Sequence, residues 1–300
     1  MNFQRDYLID EIYQAVLKDK DIFILSADFG APALDRFRED LKDQFLHLGI
    51  SEQNLIDVAI GMSLKGKKVF TYAMAPFISL RCAEQHKLAT MMRLPIVNII
   101  AGVGLGYANA GPTHYATEDY SLAVNTINSS VYTISDAPQA AAFVEHYLGK
   151  PHHCFVRLDR EPSPDLEPKS DFSSGFRQIS TGGDVCIITH GYFVGKVYNI
   201  LKDEGMLNKV SLVDLFASKP MPNGFLEFLK NFRKVVFVDE QIQSSSLGVF
   251  LTSKIIETLP KILIENITLD ENFMFENVGR AKLVELAGID SNRILSAVTK

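Results

Sequence analysis

Three hundred residues, 47% of them hydrophobic, are enough to bury the cores of two ordinary domains, so a lone small module is excluded. A formal net charge of −6 and the lack of any long Lys/Arg run argue against nucleic acid or an anionic membrane surface as the main partner, because both demand clustered positive charge. Cys82, Cys154 and Cys186 lie far apart with no CxxC or zinc-ligand spacing, and they read as buried thiols in a reducing compartment.

The opening stretch MNFQRDYLIDEIYQAVLKDKD interleaves charges with apolar residues at helical spacing. It has no continuous apolar run suited to a signal peptide or a membrane span, so a cytoplasmic protein is expected. Strands are predicted for FILSAD at 23–28, VFTYAM at 69–74, PIVNIIAG at 95–102, VYTISD at 131–136 and CFVRLD at 154–159. Between them the pattern predicts a helix opened by Ser51 and closed near Gly66, another over 76–92 and an Ala-rich one at 138–148. This alternation is that of βαβ units, hence an α/β fold with mainly parallel, helix-covered sheets.

Residues 160–175, REPSPDLEPKSDFSSG, hold three prolines among serines and acids and suit an exposed connection. Beyond them VCIITHG, VSLVDLF and VVFVDE restart the alternation. The expected organisation is two α/β domains, 1–161 and 180–300, joined by a linker at 162–179.

In FLHLGISEQNLIDVAIGMSLKG a strand ends, Gly49 turns the chain, and Ser51 opens a helix carrying Glu52 in its first turn. That point is the mouth of the sheet, where α/β proteins hold ligands, although a carboxylate there also simply complements the helix dipole. The Gly-rich loop AGVGLGYANAGPTH invites a phosphate-binding reading, but it lacks the helix start and the spaced acid of a dinucleotide fingerprint.

Ordered motifs give the chain a more specific character. SAD at 26–28, GISEQN at 49–54, PF followed by R..EQ at 76–85, GPTH at 111–114 and LDR at 158–160 precede DV.II..G, VDLF..KP and V.VDE. Together they resemble the transketolase family, including its separately encoded C-terminal subunits. More distantly they resemble deoxyxylulose-phosphate synthase and pyruvate dehydrogenase E1 beta subunits. The resemblance implies a pyrimidine-binding domain followed by a transketolase C-terminal domain, with thiamine diphosphate as cofactor.

Carried over motif by motif, the resemblance makes Glu52 and His114 the catalytic candidates. Glu52 would bond N1′ of the aminopyrimidine, and a carboxyl group there favours the tautomer whose exocyclic nitrogen can take the C2 proton. Phe77 would pack on the pyrimidine ring, or else be an ordinary core phenylalanine. Arg81 and Asp28 would lie near the cofactor, Asp28 being equally readable as a turn aspartate. His114 would face the thiazolium and the substrate, and this assignment depends on GPTH, since a lone histidine is usually structural. Arg160 would bind a substrate phosphate, and Asn109 in the Gly-rich loop would touch substrate. Arg157, expected on the same strand face, is a weaker phosphate candidate or a structural ion pair.

One residue departs from the family: where most members have an acid before GPTH, this chain has Ala110, which should alter donor-sugar preference. No GDG occurs anywhere, so the Mg2+ or Ca2+ and the diphosphate are expected on a partner, an N-terminal transketolase subunit carrying GDG and a later Asn. An α2β2 assembly follows. The second domain, with SSSLG at 244–248 and strand-end acids Asp239 and Glu240, is expected to be structural and dimerising. The function implied is two-carbon ketol transfer between phosphorylated or modified sugars. The alternatives are a 2-oxo-acid-decarboxylating thiamine enzyme and a non-catalytic scaffold.

Overall fold

A computed structural model describes residues 2–27 and 31–299. In the first half, α1 (Gln4–Lys18) is followed by β1 (Ile22–Ser26), α2 (Asp35–Asp40), β2 (Phe45–His47), α3 (Glu52–Leu64), β3 (Lys68–Met74), α4 (Ala75–Leu80) and α5 (Ala83–Met91). Then come β4 (Ile96–Ala101), α6 (Asp119–Asn125), β5 (Ser130–Thr133), α7 (Ala137–Gly149) and β6 (Cys154–Leu158). The second half contains β7 (Arg177–Ser180), β8 (Val185–Thr189), α8 (Tyr192–Asp203), β9 (Ser211–Asp214), β10 (Ala217–Lys219) and α9 (Phe225–Leu229). It ends with β11 (Lys234–Ile242), α10 (Leu247–Thr258), β12 (Leu263–Leu269), α11 (Arg280–Leu286) and α12 (Ser291–Thr299).

Two mainly parallel sheets result, one ordered β10-β5-β6-β4-β3-β1-β2 and the other β12-β11-β8-β9-β7. The central strands β4 and β6 are buried along their whole length, which is why they read in sequence as near-continuous apolar runs rather than as alternating ones. Helices cover both faces, and three apolar clusters fill the spaces between helices and sheets. The three cysteine thiols are buried and free, and that burial raises the pKa of each. Among the described residues no helix is long and apolar enough to cross a membrane.

Several details differ from expectation. β7 begins within the stretch 162–179 expected as linker and pairs antiparallel with β9. β10, from the second half, pairs antiparallel with β5 of the first sheet. Asp239 and Glu240 lie inside β11 rather than at its end.

The helix expected over 76–92 is two, α4 and α5, separated at Arg81 and Cys82, where Cys82 leaves the helical region at φ −107°, ψ 18°. Interrupting a helix releases a carbonyl that must find another donor. Here the buried His86 supplies it, with its Nε2 2.9 Å from the Ile78 carbonyl oxygen.

Candidate functional site

The connections after β2, β3, β4 and β6 all emerge on one edge of the first sheet, the carboxyl ends of its parallel strands. Gly49, at φ +70°, makes the left-handed turn that leads from β2 into α3 and sets Glu52 at the first helical position. Ser51 occupies the N-cap position, but its hydroxyl turns back to donate to the Leu48 carbonyl at 2.7 Å rather than accepting from α3. It therefore braces the turn instead of capping the helix.

Glu52 is buried, 5% exposed, and its Oε2 accepts from Arg81 Nη1 at 2.9 Å. The break between α4 and α5 leaves Arg81 at the end of α4, and its guanidinium also lies 4.1 Å from the centre of the Phe77 ring. Phe77 in turn meets His114 edge to face, with ring centres 5.3 Å apart and planes at 73°. His114 ends a short 3-10 turn, Pro112–His114, and its Nδ1 is 3.0 Å from Thr113 Oγ1. Four residues drawn from three separate stretches of sequence thus form one connected wall: Glu52, Arg81, Phe77 and His114.

Arg160 lies just past the end of β6, exposed, with its guanidinium 4.7 Å from the centre of the Tyr107 ring. Asn109 and Ala110 lie in the turn Ala108–Ala110 of the same Gly-rich loop and are exposed. Asp28 falls outside the described residues.

Arg157 does not share a strand face with Arg160, because β6 ends at Leu158 and Arg160 lies beyond it. It is 1% exposed and grips Asp119 with two bonds, Nε to Oδ2 at 2.7 Å and Nη2 to Oδ1 at 3.0 Å, while Nη1 donates to Thr133 at 3.0 Å. It is the structural ion pair, and at 1% exposure it is not open to a substrate phosphate.

Sequence reasoning overlooked two features away from the Glu52 wall. One is a cavity of about 520 Å3 lined by Arg5, Tyr7, Asp10, Tyr13, Arg36 and neighbours, formed by α1 against the chain entering α2. Charges spaced along an amphipathic helix carry no mark that distinguishes a cavity wall from a solvated face. The other is Arg280, which opens α11 and bonds Glu240 of its own half and Asp159 of the other.

The chemistry of the donor set fits an aminopyrimidine: a buried carboxylate for a ring nitrogen, a flat aromatic face for stacking, and an imidazole beside it. Among the described residues no group of three His, Cys, Asp or Glu side chains is placed to hold a metal ion.

Residues 5–164 match the family described as "Transketolase, pyrimidine binding domain". The chain is 27% identical over 283 residues to one subunit of the apulose-4-phosphate transketolase of Phocaeicola vulgatus, covering 91% of this chain and 89% of that one. It is 29% identical over 196 residues to the 6-deoxy-6-sulfo-D-fructose transketolase subunit of a Clostridium species, covering 64% and 61% of the two chains. Human transketolase is 23% identical over 87% of this chain, which spans only 43% of that enzyme. A solved structure titled "Split gene transketolase, inactive beta4 tetramer" superposes over 99% of this chain and 97% of its own, with a TM-score of 0.85 at 24% identity, and so shares the fold. With more than half of its length matched by the family's pyrimidine-binding domain, the chain belongs to the transketolase family.

Proposed function

We propose that this chain is the pyrimidine-binding subunit of a two-subunit, thiamine-diphosphate-dependent transketolase that moves a two-carbon ketol unit between phosphorylated or otherwise modified sugars. The observation that carries the reading is the wall of Glu52, Arg81, Phe77 and His114 at the carboxyl ends of β2, β3 and β4. A scaffold relative has no physical need to bury a carboxylate next to a half-buried aromatic ring and an imidazole. Thiamine diphosphate, when bound, supplies the nucleophilic carbon that accepts and releases the ketol unit.

Within that reading Glu52 holds the proton exchanged with N1′, and the Arg81 guanidinium on Oε2 fixes the orientation of the carboxyl group. Phe77 braces His114 edge to face; in this reading its ring face takes the pyrimidine and His114 exchanges a proton with a substrate oxygen. Arg160 provides an exposed, permanently charged fork for a substrate phosphate or a like anion. Asn109 is the polar neighbour available to a sugar hydroxyl.

Ala110 puts a methyl group where an acid would recognise a further hydroxyl. The two bacterial relatives are named for apulose 4-phosphate and 6-deoxy-6-sulfofructose, which supports a modified sugar here rather than the ordinary pentose phosphates. The metal, Mg2+ or Ca2+, and the diphosphate fall to a partner subunit bearing GDG and a later Asn, in an α2β2 complex. The relatives named as subunits and the split-gene neighbour support such a partner.

The test is Glu52→Gln in the assembled complex, reading C2 proton exchange of the bound cofactor together with ketol transfer. Both should collapse while the chain keeps its fold. Exchange as fast as in the unaltered complex would remove Glu52 from the chemistry and the reading with it.

A further inference from the structure

We infer that Arg280, from the second half of the chain, is a positioning residue for the substrate end of the site, acting through Asp159 and Glu240. Nothing in its own surroundings in sequence marks it, and it lies apart from the wall around Glu52.

The guanidinium is 5% exposed and is divided between two carboxylates. One edge binds Asp159 bidentately, Nη1 to Oδ1 at 2.7 Å and Nη2 to Oδ2 at 2.8 Å. The other side binds Glu240, Nε to Oε1 at 3.0 Å and Nη2 to Oε2 at 2.5 Å. The ring of Tyr192 lies under the cation, 4.0 Å from its carbon. Only a planar fork can serve two carboxylates at once in this way, and an ammonium group has no second edge.

What the two carboxylates do next gives the cluster its consequence. Asp159 Oδ1 accepts from the Glu161 amide at 2.7 Å, closing a turn whose central residue is Arg160. Glu240 Oε2 accepts from the Leu105 amide at 3.0 Å, pinning the base of the Gly-rich loop that carries Tyr107, Asn109 and His114. The fit at that point is close: a Cβ on Gly104, at φ +59°, would come within 2.2 Å of Glu240 Oε2. One cation therefore fixes both the turn that presents Arg160 and the loop that faces it through the Tyr107 ring.

Two buried carboxylates share one buried guanidinium, a costly arrangement for stability alone. It makes physical sense where geometry is what is being held.

The substrate arm of the test rests on the proposed function; the loop arm does not. Arg280→Lys and the milder Glu240→Gln are made in the full chain. In the isolated chain, amide hydrogen exchange across 103–110 should accelerate while the strands of both sheets stay protected. Reconstituted with its diphosphate-binding partner, Arg280→Lys should raise KM for a ketose phosphate about tenfold, the size expected for a loosened charge-assisted contact, with kcat and C2 proton exchange changing much less. If Arg280→Lys does not fold, Glu240→Gln carries both arms, with the loop effect dominant. Unchanged loop exchange in the folded variants would overturn the inference, as would an equal fall of kcat and melting temperature with KM untouched. If the unaltered complex transfers no ketol unit, the functional reading fails, and loop exchange in the isolated chain still decides the role of Arg280.

Discussion

His86 offers a quantitative test of how the two-helix arrangement under the site is held. The imidazole is completely buried, and burial lowers its pKa from 6.5 to about 4, only partly offset by the bond to the Ile78 carbonyl. His153, whose ring centre is 5.8 Å away, is lowered to about 3, again chiefly by burial and then by His86 itself. Both are neutral in the folded chain at neutral pH. Because the folded pKa lies below the unfolded one, the unfolded chain binds more protons as the pH falls through 6.5. The stability is fully present above pH 6.5 and is lost progressively toward pH 4. Linkage sets the slope at about 1.4 kcal/mol per pH unit for each such group, so acidifying from neutrality to about pH 5 should remove about 2 kcal/mol through His86 alone. His86→Gln can still donate to the Ile78 carbonyl but cannot titrate. Urea unfolding of both chains across this pH range should therefore show the wild type losing about 2 kcal/mol more than the variant. Parallel pH profiles would refute the reasoning, as would a His86 ring resonance that titrates near 6.5 in the native protein.

Two further predictions concern the site. Arg160→Ala should raise KM selectively for phosphorylated substrates, since a charge-assisted contact to an anion contributes on the order of 2 kcal/mol, and equal losses for unphosphorylated analogues would assign Arg160 another role. The isolated chain should bind thiamine diphosphate weakly even with Mg2+, because stacking and one carboxyl contact cannot replace a metal-bridged diphosphate; calorimetry with and without the GDG-bearing partner decides this, and tight metal-dependent binding by the chain alone would overturn the split site.

The central strands are legible because burial on both faces leaves an apolar run as its trace, as in PIVNIIAG for β4. The edge strands β7 and β10, RQIS and ASK, are not, because a short strand at a sheet margin needs no apolar face. The break between α4 and α5 carries no Gly or Pro, and the carbonyl it frees is met by a histidine eight residues on, a contact that exists only once the chain is folded. Glu52, Phe77 and His114 can be named from ordered motifs, yet Arg81, the residue that joins two of them, reads in sequence as a cofactor contact rather than as the partner of Glu52. Arg157 lies inside β6 while Arg160 lies beyond its end, and the partner of Arg157, Asp119, is separated from it by 38 residues. Arg280 stands 121 residues from Asp159 and 40 from Glu240, and no periodic pattern links positions so far apart.

The antiparallel strand β10 changes what it would mean to shorten this protein. Its residues Ala217 and Lys219 lie against Tyr132 and Val131, closing the flank of β5 with backbone supplied from beyond the apparent linker. A fragment ending in the 160–176 stretch would look like a natural unit by sequence, yet it would expose an unpaired row of amides and carbonyls along a flank with aromatic rings, among them Tyr132 and Phe143. Such a margin recruits other chains. A truncation meant to isolate the pyrimidine-binding portion must therefore carry the segment through Lys219 or replace it.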